Sequence, residues 1–133
     1  MIVLDTNVLL RYLLNDEPKQ AERARRLMES APQLTVTPTI VLELVWVLEC
    51  SDCSRAEIVA ALRQVFGLPA MRLSNESAYY RAVQWFAQGM DFADALHLAL
   101  SPATAIMTTF DRDFVNKAKR IEAFPPVTLC PAR

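Results

Sequence analysis

Histidine occurs once and glycine twice in 133 residues, and these two scarcities exclude much of enzyme chemistry. A His-rich metal centre has no ligands to draw on. A His-dependent nucleophile would need His97, expected to be buried among the alanines and leucines of DFADALHLAL. Two glycines cannot build a Walker loop or a dinucleotide fingerprint. Eight prolines beside them argue against an all-β chain that turns on glycine. Three cysteines, an odd number, make no disulfide framework. Cys50 and Cys53 form a C-S-D-C pair, but it closes a helix instead of opening one after a strand. With only His97 and Cys130 left as distant ligands, it reads as two ordinary thiols around a helix end. No uncharged apolar run reaches the roughly 18 to 20 residues of a membrane span. The longest, Ile40 to Leu48, carries Glu43 in its middle. The opening MIVLDTNVLL has neither a basic n-region nor a small-residue cleavage site, so it does not read as a signal peptide. The expectation is a soluble, cytoplasmic protein without membrane contact.

What is present is apolar and patterned. Hydrophobic residues make up 53% of the chain, enough to drive one core, and the length suits a single domain over residues 1–133. The formal net charge of −1 neither suggests nor excludes a nucleic-acid partner, because a local basic patch can still grip phosphates. Short apolar runs alternate with helix-period segments, the pattern of an α/β domain around a mainly parallel sheet. Strands are expected at Ile2–Leu4, Leu34–Val36, Ala70–Leu73, Ala105–Thr108 and Val127–Leu129. Helical character runs from Val8 to Leu14. Asp16 with Pro18 reads as the start of the next helix, on which Arg23, Arg25 and Arg26 tend toward water. Thr37-Pro38 opens a strongly apolar helix, Ser54-Arg-Ala-Glu57 is a capping box, and Gly67 suits the stop that follows. Ser74 or Asn75 can cap the next helix, Gly89 ends it, and Asp91 caps the one after, through about Leu100. Asp113 is the natural cap of the last helix, which leaves Asp111 without that job.

The chemistry-bearing residues are carboxylates. Ligands of an open α/β sheet gather beyond the carboxyl ends of its strands, where Asp5 and Asp111 stand. Asp5 in Asp-Thr-Asn serves equally as a helix cap and as a ligand, through different atoms. Glu43 lies in a helix apolar nearly all round and so expected to be buried, where an unpaired charge costs several kcal/mol. It is either compensated by an arginine, set on a narrow exposed stripe, or a ligand. Asp91 and Asp94 open an otherwise apolar helix. The helix dipole explains one of them and explains Asp94 less well, and His97 lies one turn away. Four acids from four elements can converge only around a cation, since their repulsion otherwise drives some to protonate. Oxygen-only ligands suit Mg²⁺ or Mn²⁺, and the chemistry such ions support is phosphodiester hydrolysis.

MIVLDTNVLL at Asp5, TIVLELVWVL at Glu43, DFADALHLAL at Asp94 and TTFDRDF at Asp111 resemble, in order, the motifs of PIN-domain nucleases. The likeness is to VapC toxins in particular. It implies an α/β/α sandwich with a central parallel sheet of about five strands. Asp5, Glu43, Asp94 and Asp111 would form an acidic pocket for Mg²⁺ or Mn²⁺, with Asp113 ranked second to Asp111. Thr6 and Thr109 look like the family's hydroxyl supports. The resemblance further implies cleavage of RNA, often tRNA or rRNA, a homodimer, and a VapB-like antitoxin that blocks the site. RNA would need cations around the acids. Arg11 and Arg112 lead the candidates, followed by Lys19, Lys117, Lys119 and Arg120, with Tyr79, Tyr80 and Trp85 as stacking surfaces.

Three rivals stand beside this reading. A haloacid-dehalogenase phosphatase wants a second aspartate where Asn7 stands. A receiver domain wants a lysine after its last strand, and none follows Lys119. A catalytically inactive PIN-like module for binding RNA or protein gains nothing from the mutual repulsion of four acids.

Overall fold

The computed structural model describes residues 1–132, which gather into two compact units, Met1–Ser74 and the segment from Asn75 onward. In the first unit the chain runs through β1 (Ile2–Val3), α1 (Thr6–Leu14), α2 (Pro18–Ser30), β2 (Leu34–Thr35), α3 (Pro38–Cys50) and α4 (Arg55–Phe66). β1 and β2 pair in parallel, with Ile2 opposite Leu34 and Val3 opposite Thr35. Parallel strands cannot be joined by a tight turn, and α1 with α2 supplies the crossover. The expected strand over Ala70–Leu73 reduces to a single parallel bridge between Met71 and Leu34. Its two ladder bonds are Leu34 N–H to the Ala70 carbonyl at 2.9 Å and Arg72 N–H to the Leu34 carbonyl at 2.8 Å, and no further pair follows among the described residues.

The helix boundaries follow local chemistry. Asp5 caps α1, its Oδ2 accepting the Asn7 N–H at 3.3 Å, and Asn15 ends the helix in the left-handed conformation. Pro18 takes the first turn of α2, while Glu17 stands at the cap without a side-chain bond. Asp16, expected to open this helix, instead reaches Arg11 at 3.4 Å. Thr37 Oγ1 accepts the Ile40 N–H at 3.3 Å at the head of α3. The Ser54–Glu57 capping box forms in both directions, at 3.1 and 2.9 Å. At the end of α4 a Cβ on Gly67 would meet the Arg63 carbonyl at 2.9 Å, so glycine is required by close approach. Leu9, Leu34, Val41, Leu44, Leu48, Ile58 and Leu62 form the core of this unit.

The second unit holds α5 (Glu76–Ala87), α6 (Phe92–Leu100), β3 (Met107–Thr109), α7 (Arg112–Arg120) and β4 (Val127–Leu129). β3 and β4 are parallel, in register from Met107–Val127 to Thr109–Leu129, with α7 as their crossover. Asn75 sits at the head of α5 in the left-handed conformation and makes no side-chain cap bond. Phe86 of α5 meets Phe92 of α6 edge to face, with ring centroids 5.5 Å apart. Arg81 Nη2 donates to the Ala99 carbonyl at 3.2 Å, and its guanidinium lies 5.2 Å from the centre of the Phe124 ring.

The architecture is thus α/β, with seven helices and short parallel strands among the described residues. The sheet of about five strands does not form there. Two two-stranded parallel sheets stand in its place, with strands of two or three residues. No described helix is long and apolar enough to cross a membrane. Leu62, fully buried, offers a direct check on the first core. Leu62→Ala is expected to lower unfolding free energy by about 2–5 kcal/mol in urea denaturation.

Candidate metal site

Each predicted acid stands where a strand hands the chain to a helix, or on a helix face. In the first unit, Asp5 closes β1 and caps α1 through Oδ2, leaving Oδ1 without a hydrogen bond among the described residues. Cap and ligand are therefore compatible roles for one carboxylate. Thr6 follows as the first residue of α1 and is buried, 3% exposed.

Glu43 departs from the expectation of burial. α3 buries Val41, Leu44, Val45 and Leu48 at positions i, i+3, i+4 and i+7, and so leaves the opposite face outside. Thr39, Glu43, Trp46 and Cys50 make an exposed stripe on it, with Trp46 66% exposed. Neither a hydrogen bond nor an ion pair reaches Glu43 among the described residues, so compensation by an arginine is not the explanation. Composition alone made this helix look buried all round; only the packing partners define the face that stays outside.

The second unit brings acids into mutual range. Asp91 caps α6, its Oδ2 accepting the Asp94 N–H at 3.3 Å. The Asp94 carboxylate, half-buried in the first turn, receives neither a hydrogen bond nor a salt bridge among the described residues. Burial pushes its pKa above the usual aspartate value, and the neighbouring charges of Asp91 and then Asp111 push the same way; His97 and Lys117 oppose them. The role of Asp91 as a charged neighbour was readable from its spacing three residues before Asp94, although capping alone explained its presence. His97 is exposed, not buried against alanines and leucines, because α6 turns Ala95, Leu96, Leu98 and Ala99 inward.

At the head of α7 the expected capping is reversed. Asp111, not Asp113, is the cap, its Oδ1 accepting the N–H groups of Asp113 at 2.9 Å and Phe114 at 3.3 Å. Thr109 Oγ1 accepts the Asp111 N–H at 3.0 Å, a turn that starts the helix one residue after Asp111. Thr109 thereby supports Asp111, and Asp111 Oδ2 stays without a hydrogen bond among the described residues. Asp113 points to solvent, 71% exposed, and binds Lys117 Nζ at 3.0 Å one turn on. Of the two, Asp111 is the one that acts on Asp94.

The candidate RNA contacts divide similarly. Arg112 is exposed at the first position of α7, whereas Lys117 is committed to Asp113. Tyr79 and Trp85 are buried, 2% and 5% exposed, and cannot stack a base; Tyr80 keeps 38% of its surface. Cys50, Cys53 and Cys130 are free thiols.

No three His, Cys, Asp or Glu side chains group closely enough to hold a metal among the described residues. The donor chemistry nevertheless fits a hard cation. All candidates are carboxylates, and burial with the charges of Asp91 and Asp111 disfavours the Asp94 charge more than His97 and Lys117 favour it. A raised native pKa means that the folded state binds the Asp94 proton more tightly than the unfolded chain. The stability linked to Asp94 is therefore full below the unfolded value, near 3.9, and falls as pH rises through the native one. In EDTA, Asp94→Asn is expected to raise the melting temperature at pH 7 and to lose that advantage near pH 3.5, read by differential scanning fluorimetry.

Neither a curated protein nor a solved structure matches the chain. The family model for the PIN domain, a family mostly of metal-dependent nucleases, matches residues 2–120. With the ordered acids at Asp5, Glu43, Asp94 and Asp111 inside that span, the chain belongs to the PIN domain family.

Proposed function

We propose that this protein is a Mg²⁺- or Mn²⁺-dependent endoribonuclease acting as the toxin of a VapBC-type toxin–antitoxin pair. One observation carries the nuclease reading: the half-buried Asp94 carboxylate has like-charged neighbours in Asp91 and Asp111 and no hydrogen bond or ion pair among the described residues. A divalent cation relieves that arrangement, and membership of the PIN family supports it. Asp5, Asp94 and Asp111 would hold the ion, directly or through its waters, and Glu43 would ligate it or orient the attacking water. The chemistry these residues would gain from such an ion is a water of lowered pKa and an offset to the charge building on the phosphate. Asp111 presents Oδ2 while Oδ1 is held by two backbone N–H groups, so its carboxylate is fixed before any ligand arrives. Asp5 is oriented in the same manner by Asn7. Thr109 sets the turn that aims Asp111. The RNA substrate, tRNA or rRNA, the homodimer and a VapB-like antitoxin belong to the same proposal and rest on the four-motif resemblance.

A second reading, an inactive PIN-like module that binds RNA or protein, draws on the lack of a grouping of three or more ligands among the described residues. Incubation of a mixed tRNA and rRNA pool with Mg²⁺, Mn²⁺ or EDTA separates the two. Discrete fragments that need metal are expected. Asp5→Asn and Asp94→Asn should each reduce their rate about a hundredfold or more, the scale of losing a few kcal/mol of transition-state stabilisation. Full-rate cleavage by both variants would sink the site assignment; no cleavage by folded wild type would favour the binding module. Expression without an antitoxin is expected to arrest growth, and normal growth would remove the toxin role alone.

A further inference from the structure

We infer that the groove between α1 and α2 is a nucleic-acid subsite, which takes the sugar-phosphate next to the bond being cut and grips it with Arg11 and Arg23. The inference rests on the nuclease reading for its place in the reaction, but not for the binding itself. The groove measures about 390 Å³ and is lined by Asn7, Val8 and Arg11 of α1 and by Gln20, Arg23 and Leu27 of α2. That volume lies at the small end of the roughly 300–1,000 Å³ of ligand pockets, room for one nucleotide unit and none for a duplex. Two guanidinium groups line it and no carboxylate does, in a chain whose net charge is −1.

The three arginines of α2 are not equivalent. Arg25 is committed to Glu22 and Glu29, the latter at 2.6 Å, and Arg26 lies 3.5 Å from Glu22. Arg23, on the groove, takes part in no hydrogen bond or ion pair among the described residues, so its charge is available to a ligand. Arg11 is held in place from one side, with Nε donating to Gln20 at 2.6 Å and Nη1 lying 3.4 Å from Asp16, and it remains 34% exposed. A guanidinium oriented in this way can present its remaining N–H groups to a phosphate without first being ordered. Val8 and Leu27 add an apolar wall against which a ribose or base can lie. At one end Asn7 lines the groove and donates its backbone N–H to Asp5, so the groove borders a carboxylate of the proposed metal site.

The test is fluorescence anisotropy with a fluorescein-labelled 12-nucleotide single-stranded RNA of mixed sequence, titrated in EDTA over 25–200 mM KCl. Arg23→Gln is expected to weaken binding about fivefold and to lower the slope of log affinity against log salt by about 1, the signature of one lost phosphate contact. Arg25→Gln, one charge removed from the same helix but from a carboxylate-paired position, should change affinity less than twofold. Both sites are exposed, so both variants should melt with wild type, and a matched melting temperature is the check on folding. Equal effects of the two variants, no RNA binding by wild type, or displacement of a polyglutamate probe in place of RNA would each overturn the groove. The nuclease reading fails separately: cleavage that needs Asp5 with binding indifferent to Arg23 overturns only the groove. Binding sensitive to Arg23 without any cleavage overturns only the nuclease.

Discussion

A parallel pair of strands forces the chain to cross over through a helix, and the chemistry of this protein is placed by that constraint. β1 returns to β2 through α1 and α2, and β3 returns to β4 through α7. At the head of each crossover the backbone must leave extended geometry and satisfy free N–H groups, and an aspartate does so in both places. A carboxylate used as a cap spends one oxygen on the backbone and turns the other outward. Capping is thus compatible with metal binding by the same group.

Asp94 differs because its carboxylate caps nothing. Asp91 already serves the first turn of α6, and the inward packing of Ala95, Leu96, Leu98 and Ala99 holds Asp94 where water reaches it only in part. Its neighbours add repulsion, so the helix carries an electrostatic cost that folding alone does not need. A fold under selection for stability alone would favour asparagine at this position. On the groove between α1 and α2, Arg23 makes no ion pair among the described residues, while Arg25 and Arg26 are paired.

Much of the local structure could be read from single residues. Thr37-Pro38, the Ser54–Glu57 box, Asp91 as a cap and the strand at Val127–Leu129 all stand where their residue types place them. Caps are contests between neighbouring side chains and backbone groups, so a few residues decide them. The last helix shows where that logic ends. Asp111 and Asp113 are both competent caps, and the Thr109 hydroxyl, by turning the chain one residue earlier, decides for Asp111. Ala70–Leu73 likewise has the composition of a strand, yet it keeps a single bridge, between Met71 and Leu34.

The order and kind of the acids, the α/β alternation and the helix boundaries were set by the sequence, because each depends on groups a few residues apart. Which face of α3 is buried and whether His97 meets solvent were decided by tertiary packing. These depend on partners dozens of residues away or on which side of a helix its neighbours occupy. The periodicity of α3 and α6 is blurred by apolar residues on nearly every side, and a pattern that is apolar all round carries no direction. Only the arrival of a second surface gives it one.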